Sequence, residues 1–196
     1  EELTNDGWFP FIEILSKEYK SLTEIYQNKF DFENKIKSIV DGFDEERLTL
    51  ITKKWWNKEI FENKKTIIES GIKAYLTDSQ EGYINCIKNL FTEIEGILRM
   101  HYLAETGKGD NVKVKELISH IIEKGKHKTK SDYSLFLPVP FLEYLQNVVF
   151  SNFNLETGNV ELSRHSSSHG VADTDLYSKT RTLQMILILD QIYFYI

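Results

Sequence analysis

The chain has 196 residues, with 24 Lys and Arg against 30 Asp and Glu, a formal net charge of −6, and a hydrophobic share of 41%. That apolar share beside a charged fraction of 28% excludes a disordered polyelectrolyte and describes a chain able to bury a core, as one domain or two small ones. The one cysteine, Cys86, excludes a disulfide scaffold or a multi-thiolate zinc site, and fits a reducing, cytoplasmic setting.

The longest strictly apolar run, Met185 to Leu189, falls far short of the roughly 20 residues that cross a bilayer, so no membrane contact is expected. No signal peptide is read at the start. The opening at Glu1 without a methionine and the stop at Ile196 inside an apolar pattern are those expected of a piece of a longer protein.

Three prolines and ten glycines leave few strand-and-turn signals, so the expected fold is all-α, a helical bundle. In chain order, helices are expected over about Trp8 to Asn28, Glu45 to Phe61 and Lys64 to Tyr75, with a turn at Asp41 to Asp44. Trp55, Trp56 and Phe61 are expected in the core rather than as a platform for bases. A boundary near Thr77 to Gly82 is expected to separate a helical portion, residues 1–80, from a bundle, residues 81–196.

The clearest helix runs from Gly82 to Ala104, where Ile84, Ile87, Phe91, Ile94 and Leu98 recur at three and four residues before Gly107 and Gly109 end it. It is expected to be central. Helices over about Asn111 to Lys124 and Pro140 to Asn152 follow, joined by a basic loop. The last helix is expected after Asp173, which with Asp175 resembles an N-cap. Its second half, Met185 to Ile196, is apolar on almost every face and demands burial between helices or in a subunit contact.

Chemistry concentrates in residues 163–170, Ser163-Arg164-His165-Ser166-Ser167-Ser168-His169-Gly170, which hold two of the five histidines and one of the four arginines. On a regular helix His165 and His169 share a face, whereas Arg164 and His169 lie roughly 140° apart. Three readings compete. A histidine acting as general acid or base beside a fixed guanidinium can break an RNA phosphodiester without metal, because the 2′-hydroxyl of RNA is itself the nucleophile. Alternatively, His165 and His169 ligate a metal, with Asp173 as a third donor. In the bland reading the segment is a polar turn whose serines cap a helix.

The string Arg164-His165-Ser166-Ser167-Ser168-His169, an Arg and a His separated by four residues with a polar residue directly after the Arg, resembles the signature of the HEPN superfamily. With Ser163 before it and Gly170 after it, followed by an apolar helix, it is similar to a bacterial subgroup associated in part with phage defence and abortive infection. The resemblance covers about Gly82 to Ile196. It implies an HEPN-like helical bundle, a homodimer whose two motifs face each other across one cleft, and metal-independent endoribonuclease activity with no cofactor, in which Arg164 engages the phosphate, His169 handles the proton and His165 assists. A toxin or phage-defence effector with an antitoxin or a sensor domain belongs to the same implication. A noncatalytic dimerisation, RNA-binding or sensing module of the same fold is the alternative.

Glu95 and Arg99, four apart on the central helix, are expected to orient His169 or bind phosphate, or else to form a surface ion pair. His101 is expected to be a packed or surface histidine. Residues 105–131 carry seven lysines against four acids, so local RNA contact is expected there, through Lys124, Lys126, Lys128 and Lys130.

Overall fold

A computed structural model describes residues 2–15, 17–109, 111–129, 137–158 and 160–196, with residues 128 and 129 described by their backbone alone. The described residues form eleven α-helices and no β-strand, an all-α fold. In chain order these are α1 (Glu2–Asn5), α2 (Glu18–Gln27), α3 (Phe32–Asp41), α4 (Glu45–Lys53), α5 (Glu59–Glu62), α6 (Lys65–Leu76), α7 (Gln80–Thr106), α8 (Val114–Thr129), α9 (Pro138–Tyr144), α10 (Arg164–Ser168) and α11 (Lys179–Tyr195).

Two helices organise the core. α7 is the long helix expected from its apolar period, capped by the Ser79 side chain on the Gly82 N–H and ended by Gly107 at φ 69°. α11 is buried at every residue from Thr182 to Ile192 and packs against α3, α6, α7 and α8. Its all-round apolar surface is therefore satisfied within the chain, and the subunit-contact alternative for this helix is not needed. One buried cluster runs from Trp8 to Tyr195 and draws residues from both sides of the Thr77–Gly82 turn.

Several boundaries differ from expectation, each for a physical reason. Trp8 to Asn28 is not one helix: Pro10 removes a backbone donor, Phe11 has a non-helical backbone at φ −58° and ψ 144°, and Trp8, Phe9 and Phe11 all enter the core. A 3-10 turn at Ile12–Ile14 follows, where the Ile12 N–H donates to Gln191 Oε1 at 3.0 Å, and only α2 is helical. The expected Glu45–Phe61 helix stops at Lys53, and a 3-10 turn at Trp55–Asn57 swings Trp55 Nε1 onto Asp190 Oδ1 at 2.7 Å. α3 fills a stretch where no helix was expected, with Ile36 and Val40 buried one turn apart.

Downstream, Asn111 has φ 58°, a left-handed backbone that delays α8 to Val114. α9 begins at Pro138, a residue suited to the first helical turn, and loosens into a π-turn at Leu145–Val149. The cap of the last helix is Ser178, whose Oγ accepts from the Arg181 N–H at 3.1 Å; Asp173 instead precedes a 3-10 turn at Thr174–Leu176. Trp55 and Phe61 are fully buried and Trp56 half-buried, as the core reading expects.

The α6–α7 hairpin rests on a close approach. A Cβ on Gly82 would lie 2.2 Å from both the Ala74 carbonyl oxygen and Thr77 Oγ1. Gly82→Ala is therefore expected to cost about 1–3 kcal/mol by overpacking, read as a lowered urea midpoint at unchanged slope.

Candidate functional site

The polar string folds as a helix of one turn and a half, and its serines do structural work. Ser163 Oγ accepts from the Ser166 N–H at 3.2 Å while Ser166 Oγ accepts from the Ser163 N–H at 2.9 Å, a reciprocal capping box. Ser166 Oγ donates in turn to the Glu161 carbonyl at 2.6 Å, and Tyr177 Oη donates to Ser167 Oγ at 3.1 Å. Ser166 and Ser167 are buried; Ser168 is exposed. These bonds tie α10 to its lead-in at Glu161 and to Tyr177 ahead of α11.

Arg164, the first helical residue, reaches α7, where its Nε stands 2.6 Å from Glu95 Oε2. The approach is ionic, without the alignment of a hydrogen bond. Arg99 holds the other carboxylate oxygen through Nε at 2.9 Å and Nη2 at 2.8 Å, and its Nη1 donates to the Val112 carbonyl at 3.0 Å. Glu95 is buried, so the pair is more than the surface ion pair allowed by the sequence: one desolvated carboxylate lies between two guanidinium groups. The terminal nitrogens of Arg164 have no hydrogen-bond partner among the described residues, and its side chain keeps 30% of its exposure. A guanidinium anchored at its stem with free terminal donors suits a phosphate oxygen.

His165 is half-buried beside this cluster. Burial first, then the charges of Arg164 and His169, pull its pKa below the ordinary 6.5, against an opposing pull from Glu95. That direction favours the neutral imidazole, the form able to accept a proton. His169 closes α10 as its exposed C-cap residue, its N–H donating to the His165 carbonyl at 3.0 Å and its ring centroid 5.6 Å from that of Phe153.

Arg164, His165, Glu95 and Arg99 thus come together. His169 follows Arg164 by five residues, at the other end of α10, and its ring lies against Phe153. Phe153 was not foreseen, since an aromatic in an irregular stretch upstream carries no signal of its partner. Glu95 contacts Arg164 rather than His169, which corrects the expectation that it orients the histidine directly.

Metal ligation by His165, His169 and Asp173 finds no support in the geometry: among the described residues no three His, Cys, Asp or Glu side chains converge as a metal site. His101 is buried with its ring 5.6 Å from that of His120, in the packing role expected of it. Of the lysines expected to meet RNA, Lys124 pairs with Glu105, and Lys126 pairs with Glu123 at 2.9 Å, which reduces the positive field of that face. The side chain of Lys128 and all of Lys130 lie outside the described residues. No described helix is long and apolar enough to cross a membrane. Four open surface depressions of about 410–570 Å³ occur elsewhere, and none is lined by Arg164, His165 or His169. Comparison of the chain with protein-family models, curated proteins and solved structures finds no match.

Proposed function

We propose that the chain is an HEPN-like, metal-independent endoribonuclease that works as a homodimer, with RNA as substrate and a toxin or defence effector as its cellular role. The observation that carries this is the placement of Arg164: its stem is pinned by the buried Glu95 and its terminal donors are open, next in the chain to the half-buried His165 and five residues before the exposed His169. In the proposed step the 2′-oxygen attacks phosphorus, the O2′–P bond forms and the P–O5′ bond breaks. The 2′-hydroxyl proton passes to a neutral imidazole and the imidazolium so formed gives a proton to the departing 5′-oxygen, leaving a 2′,3′-cyclic phosphate and a 5′-hydroxyl with the imidazole neutral again. His169 handles the proton at the reacting oxygen and His165 assists. Arg164 carries the charge that builds on the phosphoryl oxygens.

In this reading a second copy of the chain forms the other wall of the cleft. Arg164 and His169, turned apart in one protomer, are then completed by their counterparts across the dimer axis. The test is incubation of the purified protein with RNA in EDTA, with end-group analysis of the products. Cyclic phosphate ends with wild type, and none with a folded His169→Ala variant, are expected. Cleavage that needs added metal, or an active His169→Ala protein, contradicts the mechanism, and tight RNA binding without any cleavage favours the noncatalytic alternative.

A further inference from the structure

Two residues before the motif, the chain forms the wall of an open groove of about 530 Å³ between the π-turn at Leu145–Val149, the lead-in to α10 and the first turn of α11. Its lining includes Asn147, Glu161, Asp175, Ser178, Arg181 and Gln184. Arg181 is held in place within it: Nη1 donates to Gln184 Oε1 at 3.1 Å, and Nη2 to the Val148 and Leu162 carbonyls at 3.3 and 3.1 Å. Gln184, fully buried, is itself fixed by donation from Nε2 to the Asp6 carbonyl at 2.8 Å. The Val148 carbonyl that Arg181 uses belongs to the π-turn, an irregularity frequent at functional sites.

Charge decides what the groove can hold. Three carboxylates, Asp6, Glu161 and Asp175, line it against the single guanidinium. Asp6 is engaged by the Tyr26 hydroxyl at 2.6 Å, whereas Glu161 and Asp175 are exposed, with no side-chain partner among the described residues. A phosphate is repelled by such a rim. A flat neutral ring that offers N–H donors is attracted: a fixed guanidinium plane is a stacking surface for a base, and a carboxylate accepts but never donates. Among the nucleobases guanine alone presents two adjacent donors, N1–H and N2–H, to one carboxylate. Adenine and cytosine place an acceptor nitrogen beside their amino group.

We infer that this groove is a guanine-binding subsite, formed by Arg181 with Glu161 or Asp175, that receives a base of the RNA next to the linkage cut at Arg164 and His169. The ribonuclease reading supplies its register relative to the cut, while the binding itself stands on the groove. Glu161 and Leu162 link the two places, because the same short segment offers its carbonyls to Ser166 of α10 and to Arg181.

The test titrates guanosine, adenosine and inosine into the full chain carrying His169→Ala, followed by NMR or calorimetry, and maps cleavage sites of the wild type on a mixed-sequence RNA. Saturable guanosine binding is expected, at least about fivefold tighter than adenosine or inosine, the latter lacking N2–H. The preference should vanish in Glu161→Gln/Asp175→Asn, and wild-type cuts should carry guanine at one fixed neighbouring position. No guanosine binding, or equal binding of adenosine, overturns the subsite even where RNA is cut. Guanosine binding with cuts indifferent to guanine overturns the RNA-base assignment in favour of a free guanine nucleoside. Selective binding lost in the double variant, with no RNA cleavage by wild type, leaves the groove assigned and defeats the ribonuclease reading.

Discussion

Lys54→Met is expected to lower the unfolding free energy by about 3 kcal/mol, the lower end of the range for stranding a buried charge, because Lys54 itself is partly exposed. Asp190 lies in the centre of α11 with its side chain 1% exposed, and its carboxylate is met by Lys54 Nζ at 2.8 Å and Trp55 Nε1 at 2.7 Å. Removing the ammonium leaves the charge with one neutral donor in a desolvated site. Lys54→Met/Asp190→Asn should recover most of the loss, since the amide oxygen still accepts from Trp55 while the uncompensated charge is gone. Urea denaturation of the single and double variants measures this, and equal stabilities of the two contradict it.

The same carboxylate gives stability a pH slope of definite sign. Burial raises the Asp190 pKa, against the hydrogen bonds from Lys54 and Trp55 that lower it. Glu13, 3.9 Å from Lys54, is likewise raised by burial and by the nearby Asp190 charge. For a carboxyl raised on folding, the native state binds more protons between the ordinary and the raised pKa. Stability from these groups is complete below the ordinary carboxyl value and is lost as pH rises through the raised one. Asp190→Asn should flatten that part of the profile.

Arg164→Ala is expected to reduce RNA cleavage by about 10²–10³-fold, the effect of removing one donor aimed at developing charge. Arg164→Lys should restore little. An ammonium is a compact point charge that cannot hold Glu95 through its stem and present a forked pair of donors at its tip. Arg99 keeps its two bonds to Glu95 Oε1 in both variants, so the carboxylate stays partnered and the fold should be retained. Cleavage rates with far-UV circular dichroism as the control separate the two effects. Arg164→Ala at wild-type rate removes the guanidinium from the mechanism.

The parts of this fold legible in the sequence are those decided within a single helix. α7 announces itself through Ile84, Ile87, Phe91, Ile94 and Leu98, and Gly107 marks its end. The burial of α11 follows from its all-round apolar surface, but what covers it is a matter of distant packing, so the choice between neighbouring helices and a subunit contact stayed open. Trp8 to Phe11 shows the limit more sharply. With Pro10 inside it, this stretch leaves the helix: the Phe11 N–H donates to the Phe9 carbonyl at 2.7 Å and three aromatic rings enter the core. α3 escaped because its polar majority hid Phe32, Ile36 and Val40.

The site divides the same way. The motif and the four-residue spacing of Glu95 and Arg99 are legible directly, and a capping role for the serines is one of the readings the segment allows. That Glu95 stands between Arg99 and Arg164, that Phe153 supports His169, and that Lys124 is drawn to Glu105 all depend on contacts between segments far apart in the chain. No local pattern encodes them.

Subunit mixing tests the proposed site most directly. Arg164→Ala and His169→Ala proteins, each inactive alone, are co-refolded and assayed on RNA in EDTA. A site that joins Arg164 of one protomer to His169 of its partner retains one intact pair in the mixed dimer, so activity should return to a substantial fraction of wild type. Mixed dimers, verified as such, that remain as inactive as either parent contradict a shared site.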